Sequence, residues 1–249
     1  IRDRIKEVPE PAKAALDPKD VRTTEQLYLT GLHLEQYRHA TYSATDYYEE
    51  ALRRDATDVR NNNAMGLWLI RKGQFAKAEP YLRQAVKTLT ERKPNPYDGE
   101  PLYNLGLSLK YQGKTEEAYD FFYKACWNAA WQDAGYYSLA QLSAARGDWE
   151  EALYEIDKSL LRNWHNLRGR HLKAAILRHL GRKDEALALI EDSLRIDRFN
   201  FGCGFEKYLI TGVEADLKEL LALMRPEAHN YEELALDYAS AGCWEEALM

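Results

Sequence analysis

Apolar and small residues recur at helical spacing along most of the chain. In the segment GDWEEALYEIDKS, Ala152, Ile156 and Ser159 are four and three residues apart, which places them on one face of a helix. The same arrangement recurs at Ala44/Tyr48/Ala51, Ala78/Leu82/Ala85, Ala118/Phe122/Ala125 and Ala186/Ile190/Ser193. This pattern predicts a series of helices that pack through equivalent faces.

Single glycines precede these helices at a fixed interval. Gly113, Gly147 and Gly181 recur every 34 residues, and Gly73 and Gly242 stand in the same context. Each preceding helix carries a large residue followed by a small one, at Thr30-Gly31, Met65-Gly66, Leu105-Gly106 and Leu139-Ala140. A small residue lets two helices approach closely, so the sequence predicts a repeating unit of two helices joined by a glycine turn.

The period, the turn glycine and the alanine positions resemble the tetratricopeptide repeat family over nearly the whole chain. The resemblance implies an all-α fold, a right-handed superhelical solenoid of antiparallel helix pairs. One feature departs from the family pattern, because the proline that usually ends the second helix is absent. Its equivalents are Ala56, Thr90, Ala130, Trp164 and Arg198. This departure concerns the geometry of the turns between repeats and does not change the predicted fold.

We expect residues 1–22 to form a linker or N-terminal extension and residues 23–249 to form the array. The predicted repeats are 24–56, 59–90, 99–130, 133–164 and 167–198, followed by a degenerate pair at 201–226 and a truncated repeat at 228–249. The first repeat lacks a turn glycine. The last one stops inside its second helix, so we expect the natural protein to continue. The GCG segment at 202–204 predicts a flexible helix start.

Six extra residues separate repeats two and three, in the segment ERKPNPYDGE. Its prolines disfavour helix, so it is either a long turn between repeats or a loop that lines a groove edge. In the aromatic run FFYKACWNAAW at 121–131, seam spacing places most rings in the core. We expect Trp127 and Trp131 to brace repeats three and four.

Residues 20–200 also resemble the repeat region of large bacterial proteins, in which a galactose-mutarotase-like β-sandwich domain of unknown function precedes the repeats. The segments that carry this resemblance are LYLTGLHLEQYRHATYSATDYYEEALRRD and NPYDGEPLYNLGLSLKYQGK. The resemblance implies an accessory module of a carbohydrate-related protein, and it identifies no activity.

Composition narrows the possible functions. The net charge of −6 argues against general binding to nucleic acid or to an anionic membrane, and no apolar run is long enough to span a bilayer. Cys126, Cys203 and Cys243 are far apart and form no CxxC motif, so free thiols in a reducing, cytoplasmic setting are expected.

No pattern for catalysis or metal binding emerges from the sequence, and we expect neither an enzyme nor a cofactor. Paired acids at Glu116-Glu117, Glu150-Glu151, Asp184-Glu185 and Glu245-Glu246 begin second helices, where carboxylates favour the helix dipole. His171 and His179 share a predicted helix face, but the sequence places no third ligand beside them.

The family resemblance implies that first helices line a ligand-binding groove. The residues at its ligand-facing positions are Tyr28, Arg60, Asn63, Arg71, Tyr103, Lys110, Tyr111, Tyr137, Gln141, Arg168, His171 and Arg178. Apart from Glu25, Glu35 and Glu100, these positions of an acidic chain lack carboxylates. Arginine pairs well with carboxylates, and tyrosine supplies contact area together with a hydroxyl group.

The leading hypothesis is a non-catalytic scaffold that binds a peptide or partner domain, possible partners being an acidic peptide or an upstream domain of the same chain. The alternative is a carbohydrate-recognition or positioning module of a multidomain glycan-acting protein. Self-association through exposed repeat ends is a third hypothesis.

Overall fold

The computed structural model describes residues 10–11 and 13–249, which form α-helices and two short 3-10 turns. The chain divides into two compact units, residues 1–91 and 92–249. The first contains α1 (Thr24–Gln36), α2 (Ala44–Arg54), α3 (Val59–Arg71) and α4 (Phe75–Thr90). The second contains α5 (Glu100–Lys110), α6 (Thr115–Ala125), α7 (Gln132–Ala145), α8 (Trp149–Arg162), α9 (Leu167–His179), α10 (Lys183–Ile196), α11 (Phe201–Thr211), α12 (Glu214–Met224), α13 (Ala228–Ser240) and α14 (Trp244–Ala247).

Small residues set the spacing within helix pairs. A Cβ atom on Gly106 of α5 would lie 2.7 Å from the ring of Phe122 in α6, too close for an ordinary contact. Gly66 of α3 relates to Leu82 of α4 in the same way. The seam residues Ala118, Phe122 and Ala125 are fully buried. The all-α fold class and the helix-pair repeat predicted from the sequence are therefore confirmed.

The glycine turns have a common backbone geometry. Gly113 has a φ of 74°, in the left-handed region that favours glycine, and its N–H donates to the carbonyl of Lys110. The turn after α1 lacks a glycine, and there Arg38 takes a φ of 48°. The first repeat thus makes its turn with a residue for which this conformation is less favourable.

Part of the predicted N-terminal linker is attached to α2. Tyr47 donates its hydroxyl proton to the carbonyl of Leu16 at 2.7 Å, and the Arg54 guanidinium donates to the carbonyls of Pro18 and Val21. Residues 1–9 and 12 of that linker lie outside the described residues.

The boundary between the two units falls inside the proline-rich insertion. Beyond it, the insertion packs on the connection between α6 and α7, where Asn128 donates a hydrogen bond to the carbonyl of Tyr97. Trp131 stacks on Tyr103 with ring centroids 4.9 Å apart, as expected for a brace. Trp127 differs from the expectation, since 57% of it is exposed and it meets Tyr123 only at a ring edge.

The C-terminal hairpin, α13 and α14, is the main departure from regular stacking. In a repeat array each repeat normally contacts the repeats that precede and follow it in sequence. Here α13 packs against α7 and α9, which precede it by several helices. At the turn between α13 and α14, a Cβ atom on Gly242 would lie 2.7 Å from the Cα atom of Ala145 in α7. The hairpin therefore folds back onto earlier first helices of its own unit.

Candidate functional site

In the first unit, the predicted ligand-facing arginines are paired with carboxylates of α1. Arg60 of α3 pairs with Glu25 and lies over the ring of Tyr28, 5.1 Å from its centroid. Arg71 at the other end of α3 pairs with Glu35. The arginine of each pair is at least half exposed, so solvent screens both ion pairs, although Glu35 itself is only 18% exposed.

In the second unit, the predicted residues of α5, α7 and α9 form what we call the first-helix surface: Tyr103, Lys110, Tyr111, Tyr137, Gln141 and Arg168. Lys110 Nζ donates to Gln141 Oε1 at 2.6 Å, which links α5 to α7. Burial lowers the pKa of Lys110 to about 8. A carboxylate placed beside this ammonium group would favour its charged form.

The tyrosines of the first-helix surface differ in accessibility. Tyr103 is held between Trp131 and Phe122, whose ring centroids are 4.9 and 5.4 Å away. Tyr111 is 55% exposed. Burial raises the pKa of Tyr137, and the nearby carboxylate of Asp237 raises it further. Tyr111 therefore offers the most accessible ring of the three.

Arg168 of α9 meets two carboxylates of the C-terminal hairpin. It pairs with Glu233, and its Nε lies 3.5 Å from Asp237 Oδ1. Burial raises the pKa of Asp237, while the Arg168 charge opposes that effect. Both acids are on α13 and are four residues apart, on one helix face. One predicted ligand-facing arginine is thus occupied by a helix of the same chain.

His171 is buried beneath the same hairpin. The ring of Tyr238 in α13 lies edge-on at 4.6 Å, and Gly202 of α11 approaches the other side so closely that a Cβ atom there would overlap the imidazole. Burial lowers the pKa of His171 to about 4. Its Nε2 has no hydrogen-bond partner among the described residues. Gly202 therefore serves close packing, not the flexible helix start expected from the sequence.

Arg178 forms the centre of a buried polar network. Its Nε donates to Glu206 of α11 at 2.7 Å, and its Nη2 donates to Glu246 of α14 at 2.6 Å. The hydroxyl of Tyr238 donates to Glu206 Oε1 at 2.8 Å, and Glu206 is fully buried. This network joins α9, α11, α13 and α14, because each charge is satisfied only when all four helices are in place.

Not all predicted ligand-facing residues are accessible. Asn63 and His171 are buried, and so is Gln141, which contributes to the first-helix surface through its contact with Lys110. The structure thus gathers six predicted residues on the first-helix surface, leaves Tyr28, Arg60 and Arg71 exposed or half-buried in the first unit, and places His171 and Arg178 under the hairpin.

One group in the second unit has donor types suited to a metal. The ligand atoms of His179, Cys243 and Glu246 all lie within 4.8 Å of one another, so a carboxylate stands beside His179 that sequence reasoning did not find. Glu246 Oε1 already contacts Arg178 and, at 3.0 Å, His179 Nε2. Glu246 therefore already has partners in Arg178 and His179.

Sequence reasoning missed four carboxylates that meet Arg168 and Arg178 of α9: Glu206, Glu233, Asp237 and Glu246. They lie 28 to 69 residues beyond their partners. No local spacing signals these pairs, because Glu206 reaches α9 through the packing of α11, and the other three acids reach it through the fold-back of the hairpin.

The fold and the first-helix surface define a helical-repeat protein built from antiparallel pairs. A sequence model described as tetratricopeptide repeat matches residues 99–126 and 167–200. The chain therefore contains tetratricopeptide repeats. No helix in the described part of the chain has both the length and the apolar character needed to cross a membrane.

Solved structures share this fold. PilF of Pseudomonas aeruginosa is 18% identical with a TM-score of 0.66, covering 90% of this chain and 95% of the other. A tetratricopeptide repeat protein from Parabacteroides merdae is 17% identical with a TM-score of 0.65, covering 90% and 89%. YrrB, described as having an unusual peptide-binding site, is 15% identical with a TM-score of 0.55, covering 78% and 95%. At these identities the likeness establishes the fold.

Proposed function

We propose that this protein is a non-catalytic interaction scaffold whose first-helix surface binds an acidic peptide. The observation that carries the proposal is the contact of Arg168 with Glu233 and Asp237, in which this surface already holds two carboxylates of a helix. Binding through arginine and carboxylate groups gives charge-assisted hydrogen bonds with defined direction. The peptide-binding description of YrrB, which has the same fold, is consistent with this use of the surface.

The α5 side of the surface supplies the open part of the proposed site. Lys110 is half-buried, and its ammonium group donates to the neutral amide of Gln141. A peptide carboxylate would therefore gain a desolvated cation without first displacing an acid from that pair. Tyr111, beside Lys110 and more than half exposed, would add ring contact to the bound peptide.

A display library of random short peptides, selected on the full chain, tests the proposal. We expect the selected peptides to be rich in Asp and Glu with an aromatic residue, and to lose at least about ten-fold in affinity on Lys110→Met. Peptides without acidic enrichment, or with unchanged affinity for that variant, would contradict the proposal.

The pH dependence provides an independent check. The free Lys110 side chain has a pKa of about 8, and a bound carboxylate raises it, so affinity falls as the pH rises through 8. We expect affinity to be about ten-fold weaker at pH 9 than at pH 7. Lys110→Arg is the matched control, because arginine stays charged over this range and should bind without the pH dependence. An equal pH dependence in both proteins would remove Lys110 from the site.

A further inference from the structure

The C-terminal hairpin contacts α7, α9 and α11 of its own unit much as a bound ligand would. Its α13 presents Glu233 and Asp237 to Arg168 and inserts Tyr238 beside His171. Tyr238 is almost completely buried, and its hydroxyl reaches Glu206. One helix face thus combines two carboxylates with an aromatic anchor, the pattern by which helices dock in grooves.

The opposite side of the hairpin faces an open cleft. This cleft of about 600 Å³ lies between the hairpin and the helices α11 and α12, and apolar side chains that include Phe205, Leu221, Met224 and Leu234 line most of it. The side of α13 that faces away from the cleft packs against α7 and α9, and the Tyr238 hydroxyl reaches Glu206 of α11.

The connection between α12 and α13 has the features of a hinge. Arg225 has a φ of 56°, which is unfavourable for a residue with a side chain, and Pro226 follows it. The connection is short, and the side chains of its residues Arg225, Pro226 and Glu227 are exposed to solvent. Release of the hairpin would relieve this backbone conformation, and it would expose Tyr238, Ala241 and Cys243, which the docked hairpin buries in the core of the second unit.

From these contacts we propose that the C-terminal hairpin is an intramolecular ligand of the surface formed by α7 and α9. It competes there with a partner helix that carries two acids four residues apart and a tyrosine next to the second acid. This rests on the proposed function, and it names both the partner class and the regulation of the site. The fold-back holds Arg168 in an occupied state until a partner displaces α13.

The competition has a quantitative consequence. A ligand that binds only the open state has an apparent dissociation constant raised by the inverse of the open fraction. If the hairpin is docked about 99% of the time, a partner binds about 100-fold more weakly to the intact chain than to the opened one. Weakening the hairpin without altering α9 should therefore strengthen binding in trans.

The test uses the full chain and a labelled synthetic peptide that carries residues 226–249, under reducing conditions. The opened variant is Glu233→Lys/Asp237→Lys, which turns both Arg168 contacts repulsive. The matched control is Glu227→Lys/Glu232→Lys, which makes the same charge change at two exposed positions near the start of the hairpin. Hydrogen exchange of α7 and α9 establishes that each variant is folded.

We expect the peptide to bind the opened variant at least about ten-fold more tightly than the wild type, with the control within about two-fold of wild type. Adding Arg168→Ala to the opened variant should abolish most of that gain. Equal affinity for wild-type and opened proteins, or no binding to an opened variant whose α13 exchanges freely, would overturn the proposal.

The two proposals fail separately. If the opened variant binds the 226–249 peptide but the display library yields no acidic peptides, the internal ligand stands and the external acidic partner does not. If the library yields Lys110-dependent peptides that bind wild-type and opened proteins equally, the scaffold function stands and the competition is overturned.

Discussion

The ligand-facing arginines of the two units differ in the origin of their countercharges. In the first unit, Arg60 and Arg71 of α3 pair with carboxylates of α1, the first helix of the preceding repeat. In the second unit, Arg168 and Arg178 of α9 pair with carboxylates of α11, α13 and α14. The pair of Arg178 with Glu206 joins adjacent first helices, as the pairs of the first unit do, whereas Glu233, Asp237 and Glu246 reach α9 only through the fold-back of the hairpin.

The burial of the pairs differs as well. The Arg60 side chain is 50% exposed, whereas that of Arg178 is 17% exposed and its partner Glu206 is fully buried. Solvent screens the first kind of pair, so its removal costs little. Removal of one member of a buried pair leaves an uncompensated charge, which costs much more. The two units should therefore respond very differently to equivalent substitutions.

The largest expected effect is on the buried network. Glu206→Ala leaves the Arg178 charge short of one carboxylate and the buried Tyr238 hydroxyl without its acceptor. We expect a loss of about 3 kcal/mol, seen as at least about 100-fold faster amide exchange in α9, α11 and α13.

Arg71→Ala is the comparison for the first unit. It removes a pair whose arginine is exposed and whose carboxylate, on Glu35, keeps the Tyr48 hydroxyl as a partner, so we expect a loss below about 1 kcal/mol in α1 and α3. Comparable losses from the two substitutions would show that the difference in burial has no energetic weight.

A smaller effect is expected from pH. His171 has a pKa of about 4 in the folded chain against an ordinary 6.5, so the unfolded chain takes up the proton first as the pH falls. The free energy of unfolding is therefore unaffected by this group above pH 6.5. It falls as the pH decreases from 6.5 to 4, and the loss at pH 5 is about 2 kcal/mol. Urea unfolding of wild type and His171→Asn at pH 7 and pH 5 measures this, since the other histidines are common to both.

Asn is chosen to replace His171 because Asn63, which is also buried, occupies the equivalent position of the second repeat. An equal loss of stability on acidification in both proteins would show that His171 is not the group responsible. That result would also show that the buried histidine of the second unit and the buried asparagine of the first unit do not differ in their effect on stability at low pH.

The smallest effect concerns the pair Arg60 and Glu25. A double-mutant cycle with Arg60→Ala and Glu25→Ala should give a coupling below about 1 kcal/mol that decreases with added salt. Coupling above about 2 kcal/mol that is insensitive to salt would place this surface pair with the buried network.

Much of the fold could be predicted because its determinants are local and repeat. Residue spacing alone predicts the seam at Ala118, Phe122 and Ala125 and the turn at Gly113. The structure places the three seam residues in the core and gives Gly113 a left-handed backbone conformation.

The candidate site was less predictable. Lys110 and Tyr111 could be located by register, but the pairing of Lys110 with Gln141 depends on how α5 meets α7.

By itself the sequence determined the helix pairs, their period and the side of each first helix on which its polar residues lie, because helix geometry converts residue spacing directly into a face. Only the tertiary structure decided that α13 returns to α7 and α9, that Gly202 serves close packing against His171, and which acids neutralise Arg168 and Arg178. The reason is physical: a helix face specifies what it can bury and not which distant surface will cover it. That choice rests on contacts between residues whose separation in sequence carries no periodic signal.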